Sequence, residues 1–395
     1  MEQITDYHTI TLLNLVTIIS FYECTFTGIH LLFKKSVRYQ ANSYLGGLLL
    51  VVVTFLLPGM LFLLGILEQF IHVVHIHFFT FLIFGPLAYF YIRACTQKDF
   101  KLKPKLWLHF IPALVGLLYF VPFYLQSGSE KFIAFVTWRE TGSMGVPPWI
   151  MLIRLLHPII YFIICIQLVL TYRKHLDNTT SYIDFIFHRW LLYFSVILLL
   201  PIFGAIVIVF STNIVGYQLN VATAIFSLML IFAISIRIAI LVKPSLFHVF
   251  PHQMLIPNST EQQKQRYEKS TLQGDKKDFY VKKLTLFMDV EKPFLASDLT
   301  LADLSKQIDI PSHHLSQTIN EKLGCNFLDF INKYRVKEAQ AMLVNPKLEH
   351  YTIVSIAYEA GFNSKSTFYT AFKKNTKMTP SQYKKQETRK VALME

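Results

Sequence analysis

Cysteine is scarce in this chain, 4 among 395 residues, and none of the four belongs to a recognisable pattern. Cys24 and Cys165 sit inside apolar runs, Cys95 at the end of one, and Cys325 in a polar C-terminal region. No CxxC and no Cys/His ligand spacing occurs. That excludes a disulfide framework and a zinc module, and fits free thiols in a reducing compartment for the C-terminal half. Charge is short as well. Only 16% of residues are charged against 53% apolar, and the mean hydropathy of +0.40 is too high for an ordinary soluble protein. Acidic residues are outnumbered, 25 to 38. The N-terminus holds Glu2 and Asp6 but no Lys or Arg, and its first apolar run is too long for a signal-peptide core. A cleavable signal is therefore not expected.

What is present is unevenly spread. Long apolar runs fill residues 1–243, whereas 251–395 reads as a charged, soluble domain. That domain carries 22 Lys and Arg against 16 Asp and Glu, a net of +6 out of the total of +13. A basic balance in both halves suits cytoplasmic loops near anionic lipid and a surface facing nucleic acid.

Crossing about 30 Å of hydrocarbon takes roughly 20 apolar residues. Seven runs qualify: about Ile10–Phe33, Tyr44–Leu67, His72–Ile92, Trp107–Tyr124, Trp149–Tyr172, His188–Phe210 and Leu219–Val242. The loops after runs 1, 3 and 5 collect Lys34, Lys35 and Arg38; Arg93, Lys98, Lys101, Lys103 and Lys105; and Arg173, Lys174 and Arg189. The alternate loops hold only Lys131 and Arg139. Positive charge marks the cytoplasmic side, so the reading places the N-terminus outside and the C-terminal domain in the cytoplasm.

Polar residues within spans are costly and point to function. Glu68, His72, His75, His77, Arg154, His157 and Asn220 gather near the outer face. They read either as an outward-facing sensor pocket for an anionic or metal ligand, or as helix caps and headgroup contacts. His72 and His75 share a helix face in this reading, but no carboxylate motif joins them, so no metal or cofactor site is assigned. Glu23, in mid-span, needs a partner or a proton. Pro58, Pro86, Pro112, Pro158 and Pro201 are expected to kink their helices. Residues 244–276 form a connector, read equally as a signal transmitter or a passive tether, with a break at Gly274-Asp275. An amphipathic helix follows over Asp278–Val290, with Tyr280, Leu284, Phe287 and Met288 on one face.

The C-terminal domain, 277–388 with a tail of 389–395, shows two helix-turn-helix patterns. Thr300 and Asp303 form a capping box ahead of Leu304 and Ile308. Asp309-Ile310 turns the chain, and Pro311-Ser312 opens a helix with Leu315 and Ile319 inward, ended by Gly324. Asn326 caps a longer helix through Phe327, Phe330, Ile331 and Tyr334, stopped by Asn345-Pro346. The pattern then repeats. Thr352 caps, Gly361 turns, and Asn363-Ser364 starts a helix with Phe368 and Phe372 inward. Thr379-Pro380 opens a short final helix ending near Tyr383.

The outward residues suit DNA. Gln317 can pair with adenine and Lys365 with guanine, while His313, Ser316, Asn320, Ser364, Ser366, Thr370 and Lys373 complete the reading faces. Lys322, Lys333, Arg335, Lys374 and Lys377 are assigned to phosphates, which add affinity without sequence information. For each lysine taken singly, a solvated face is the competing reading.

Leu301–Leu304, Ser312–Asn320, Phe327–Arg335 and above all Ile356–Phe368, with Phe372–Lys374 and Thr379–Tyr383, resemble the AraC/XylS family of bacterial transcription regulators. The resemblance covers about 100 residues, roughly 285–385. It implies two reading helices held by the linker helix at consecutive major-groove turns. It also implies base-facing roles for His313, Ser316, Gln317, Lys365, Ser366 and Thr370. Many relatives carry a soluble sugar-binding β-barrel where this chain has membrane helices, so their effector rules do not transfer.

The expectation is an all-α protein: a polytopic bundle of about seven membrane helices, then a soluble domain with two helix-turn-helix units joined by a linker helix. It is read as a non-enzymatic regulator in the bacterial cytoplasmic membrane. The partners called for are promoter DNA, the lipid bilayer, RNA polymerase, a second copy of the chain and an unidentified signal ligand. The alternative is a transporter or receptor-like membrane protein whose C-terminal domain is regulatory or mediates protein contacts.

Overall fold

A computed structural model describes residues 12–33, 39–97, 100–141, 147–181, 185–197, 199, 221–242 and 274–392. Among these, every regular element is a helix. The described residues fall into two compact units. The first comprises Met1–Leu170 and Ile186–Leu255; the second joins Thr171–Phe185 to Ile256–Glu395.

The first unit contains α1 (Leu12–Phe33), α2 (Tyr39–Leu63), α3 (Ile76–Thr96), α4 (Ile111–Leu125), α5 (Gly128–Thr141), most of α6 (Pro148–Thr179), α7 (Phe185–Ile197) and α8 (Val221–Val242). Five helical stretches are long and apolar enough to span a membrane: 14–33, 40–63, 76–96, 104–125 and 152–179. The expected sixth run continues past Ile197 into residues outside those described. The seventh begins outside them at Leu219, and its remainder forms α8, apolar through Val242. Five spans, rather than seven, are thus seen among the described residues.

Exposure follows the medium these helices are built for. Along α4, Leu114, Val115, Leu118 and Leu125 are all exposed, an apolar face larger than water tolerates on a monomer. Polar residues turn inward instead. Ser20, Thr27, Asn42 and Ser195 are fully or almost fully buried, and Thr54 and Thr80 share a hydrogen bond of 2.7 Å between α2 and α3.

Several boundaries differ from expectation. The second span ends at Leu63, and Leu67–Val73 winds as a tight 3₁₀ helix, so His72 lies before α3 and outside a span. His75 then adopts a left-handed backbone (φ 72°) at the start of α3, which removes the shared helix face proposed for His72 and His75. Pro58, Pro86 and Pro158 do lie inside helices, but Pro112 occupies the first turn of α4, where its missing N–H is harmless. Pro201 lies outside the described residues. The loop after α4 contains α5, which sequence patterning did not signal.

In the second unit the C-terminal chain forms α9 (Gly274–Glu291), α10 (Leu301–Gln307), α11 (Ser312–Lys322), α12 (Phe327–Leu343), α13 (Ile353–Glu359), α14 (Lys365–Thr376) and α15 (Pro380–Ala392). Gly274 begins α9 rather than breaking the chain. The final helix runs on to Ala392, because 384–390 is rich in helix formers and Lys390 pairs with Glu387 one turn back. Two apolar cores form here. Leu284, Met288, Leu304, Ile308, Leu315, Ile319, Phe327 and Ile331 build one. Val336, Ala339, Leu343, Ile356, Phe362, Phe368 and Phe372 build the other. The long helix α12 serves both, its first half filling one core and its second half the other.

A candidate nucleic-acid interface on the second unit

Each helix-turn-helix is set by local chemistry. Thr300 accepts from the Asp303 backbone N–H while the Asp303 carboxylate accepts from the Thr300 N–H, closing the expected capping box and freezing the start of α10. Asn326 caps α12, Thr352 caps α13 and Ser364 caps α14, each accepting from the N–H three residues on. The turn before α14 requires Gly361, whose φ is +88°. A Cβ there would collide with the carbonyl oxygen of Phe294 and sit 2.9 Å from Leu295 Cα. Glycine is demanded twice over, by backbone sign and by space.

The two second helices present the expected faces. On α14, Phe368 and Phe372 are fully buried, which leaves Lys365, Ser366, Thr370 and Lys373 exposed on the far side. On α11, Leu315 and Ile319 are fully buried; Asn320 is exposed and His313, Ser316 and Gln317 are half-buried. Several of the residues expected to read bases already have partners. The Gln317 amide donates to Glu321 at 2.9 Å, and Asn320 donates to the Ser316 carbonyl. The Lys365 ammonium lies 5.6 Å over the Tyr369 ring. Ser364 is occupied as the cap, with hydroxyl contacts to Ser366 and Thr367.

The lysines assigned to phosphate divide in two. Lys322 pairs with Asp278 at 2.7 Å and Lys374 with Asp329 at 2.6 Å. Lys333 and Lys377 are exposed and have no carboxylate partner among the described residues. Exposed ion pairs are worth ~0–1 kcal/mol, so a phosphate can displace the carboxylate at small cost.

Arg335 is a correction. It is 1% exposed and cannot reach a phosphate. Its Nε donates to the Phe294 carbonyl at 2.7 Å and Nη2 to the Ala296 carbonyl at 2.8 Å. Nη1 donates to the Ser181 carbonyl at 2.9 Å and Nη2 also to Ser181 Oγ at 3.0 Å. Burial lowers its pKa to about 10, leaving it protonated at neutral pH. Sequence reasoning missed this because a cation on an amphipathic helix is usually wet.

Away from the helix-turn-helix elements, the expected sensor residues separate into groups. His72 Nδ1 lies 2.7 Å from the Lys131 ammonium, and that fully buried lysine also donates to the Tyr124 carbonyl. The Arg154 guanidinium stacks 4.2 Å over Phe78 and lies within electrostatic reach of His75 and His77. His75 Nδ1, His77 Nδ1 and Arg154 Nε are buried without hydrogen-bond partners. The His157 ring packs at a tilt against Tyr161, 4.8 Å between centroids, and the Tyr161 hydroxyl meets His109 at 2.6 Å. Glu68 is exposed, and Asn220 lies outside the described residues. Among the described residues no group of three His, Cys, Asp or Glu could hold a metal. Glu23 finds the partner it needs in Arg237 on α8, 3.1 Å away.

The second unit is thus a helical domain with two helix-turn-helix elements of AraC type, and residues 304–386 match the model of a helix-turn-helix domain. The transcriptional regulatory protein HptR of Staphylococcus aureus is similar, 30% identical over 109 residues. An uncharacterized response regulatory protein of Staphylococcus epidermidis is 30% identical over 115 residues. These matches span 28% and 29% of this chain and only 40% and 43% of the relatives. A solved protein of unknown function from Listeria innocua is 29% identical, with 26% of this chain and 92% of that one covered and a TM-score of 0.23.

Proposed function

We propose that this protein is a membrane-anchored one-component transcription regulator. Residues 1–243 sense a signal, 244–276 form the connector, and 277–388 bind promoter DNA through α11 and α14. The observation that carries this reading is the pair of capped helix-turn-helix elements on one shared linker helix. Two such units suit consecutive major-groove turns, and each presents polar side chains away from its own apolar core. The five apolar helices support attachment to the bacterial cytoplasmic membrane, and the loop charges favour an external N-terminus and a cytoplasmic DNA-binding domain. RNA polymerase and a second copy of the chain are the expected partners on DNA.

Within the membrane half, the buried orphan nitrogens of His75, His77 and Arg154 favour an anionic signal. A guanidinium with no carboxylate beside it among the described residues is costly to keep in such a place unless something else neutralises it. The strained backbone of His75 at the same spot supports a functional position.

The test is duplex binding by the full-length protein in nanodiscs, using the DNA upstream of its own gene. Lys365→Ala should weaken binding about 10-fold and relax preference at one base pair. Lys333→Ala should weaken all sequences alike and reduce the salt slope by about one. Equal affinity and preference in Lys365→Ala and the parent would remove α14 from the reading role.

A further inference from the structure

The turn that follows the long helix α6 belongs to the same compact unit as the helix-turn-helix elements. Its backbone is paired there. Thr180 forms an antiparallel bridge with Thr300, and the Ser181 N–H donates to the Leu299 carbonyl at 3.0 Å. Ser181 then gives its carbonyl and its hydroxyl to Arg335. Thr180 and Ser181 are 3% and 1% exposed, so this is a packed contact rather than a brush between surfaces.

Where the contact falls matters more than its size. Arg335 sits on α12 between Ile331, the last fully buried residue of that helix in the first core, and Val336, the first in the second. Its guanidinium lies 5.8 Å over the Phe362 ring of the second helix-turn-helix, while it holds Phe294 and Ala296 ahead of the first. The Gly361 turn presses on the same Phe294 carbonyl that accepts from Arg335. Segments 294–300 and 361–362, Arg335 and the 180–181 turn all meet at the joint between the two reading units.

We infer that the Arg335 joint is a docking site for the Thr180–Ser181 turn of this chain's own membrane part, and that docking fixes the relative placement of the two helix-turn-helix units. The inference rests on the regulator reading for its purpose but not for its test. It gives the membrane half a route to the DNA-binding half that bypasses the connector. α6 is one unbroken helix from Pro148 to Thr179, carrying Arg154 and His157 near its start and ending one residue before the bridge. A shift or rotation of α6 would pull the turn from the joint. The two units would then lose their fixed spacing, and DNA spanning two grooves would have to restore it at the cost of affinity.

Ser181→Pro is a clean way to release the turn. It deletes the N–H that bonds Leu299 and the hydroxyl that bonds Arg335. The full chain would be studied in nanodiscs with its four cysteines replaced by alanine and spin labels at Lys306→Cys on α10 and Glu359→Cys on α13. The distance distribution should be narrow in the parent and clearly broader or shifted in Ser181→Pro. Ser181→Ala, which loses only the hydroxyl contact, should show the same change to a lesser degree, and it serves if the proline variant fails to insert. Affinity for the upstream duplex should fall about fivefold or more in Ser181→Pro, within the usual range of allosteric coupling. Unchanged label distances in the variants overturn the inference whatever the DNA result. Changed distances with no duplex binding by any of the proteins, parent included, uphold the joint and overturn the DNA reading instead.

Discussion

Gly361 and Gly324 show how differently two glycines with positive φ are constrained. Both stand in left-handed backbone, at +88° and +63°. A Cβ at Gly324 meets nothing within 4 Å, whereas at Gly361 it strikes the Phe294-Leu295 backbone. Gly324→Ala should therefore cost only the conformational penalty of about 1–2 kcal/mol. Gly361→Ala adds overpacking of ~1–3 kcal/mol and should lower the melting temperature distinctly more. Equal melting temperatures for the two variants would contradict the close approach. His314 supplies a pH dependence at the same scale. Burial first, then the nearby charges of His313 and Lys276, hold its pKa below the usual 6.5. Its contribution is complete above pH 6.5 and is lost as pH falls through the lowered folded value, since the unfolded chain takes the proton more readily. Denaturation midpoints of His314→Gln should vary less between pH 7.5 and 5.5 than those of the parent.

Among the elements, α9 is held to α11 by two kinds of contact of unequal weight. Lys277 pairs with Glu321 at 2.6 Å and Lys322 with Asp278 at 2.7 Å, both at the surface. Beneath them Leu284 and Met288 are completely buried. Leu284→Ala should cost about 2–5 kcal/mol and Lys277→Ala less than about 1, read from denaturant midpoints. A larger loss from the lysine would mean that the ion pairs, not the core, fix this helix. The elements were also where the residues themselves spoke most plainly. Caps at Thr300, Asn326, Thr352 and Ser364 and the turn at Gly361 act over three or four residues, so local chemistry sufficed to place them. Arg335 could not be read that way. Its partners lie 39 to 154 residues away, and helical spacing shows a face without showing what covers it. The same limit applies to Lys131 and Arg237, whose partners His72 and Glu23 stand on other helices. The membrane boundaries failed for another reason. Glu68 and Gln69 mark a break in composition, but its bounds are set by backbone geometry, at Gly65 (φ 69°) and His75, which ends one helix early and begins the next late.

At the scale of the whole molecule, the charge asymmetry of the loops fixes an expectation that helix counting does not. An enzyme reporter active only in the cytoplasm should be active when fused after Glu395 and inactive when fused at Ser127. A fusion within 211–218 should also report the outside, as seven spans require. A cytoplasmic signal from that last fusion would leave an odd number of crossings before it and overturn the seven-span reading.

The buried Arg335 also bears on portability. A helix-turn-helix pair is often thought of as a cassette that can be grafted behind any input domain. Here one of its central cations takes a carbonyl and a hydroxyl from residue 181, in the other half of the sequence. A chimera that joins residues 277–388 to a foreign membrane domain inherits a guanidinium with two of its partners missing. Such a graft needs to bring a short extended turn of its own, or to replace Arg335 together with the surface it seals.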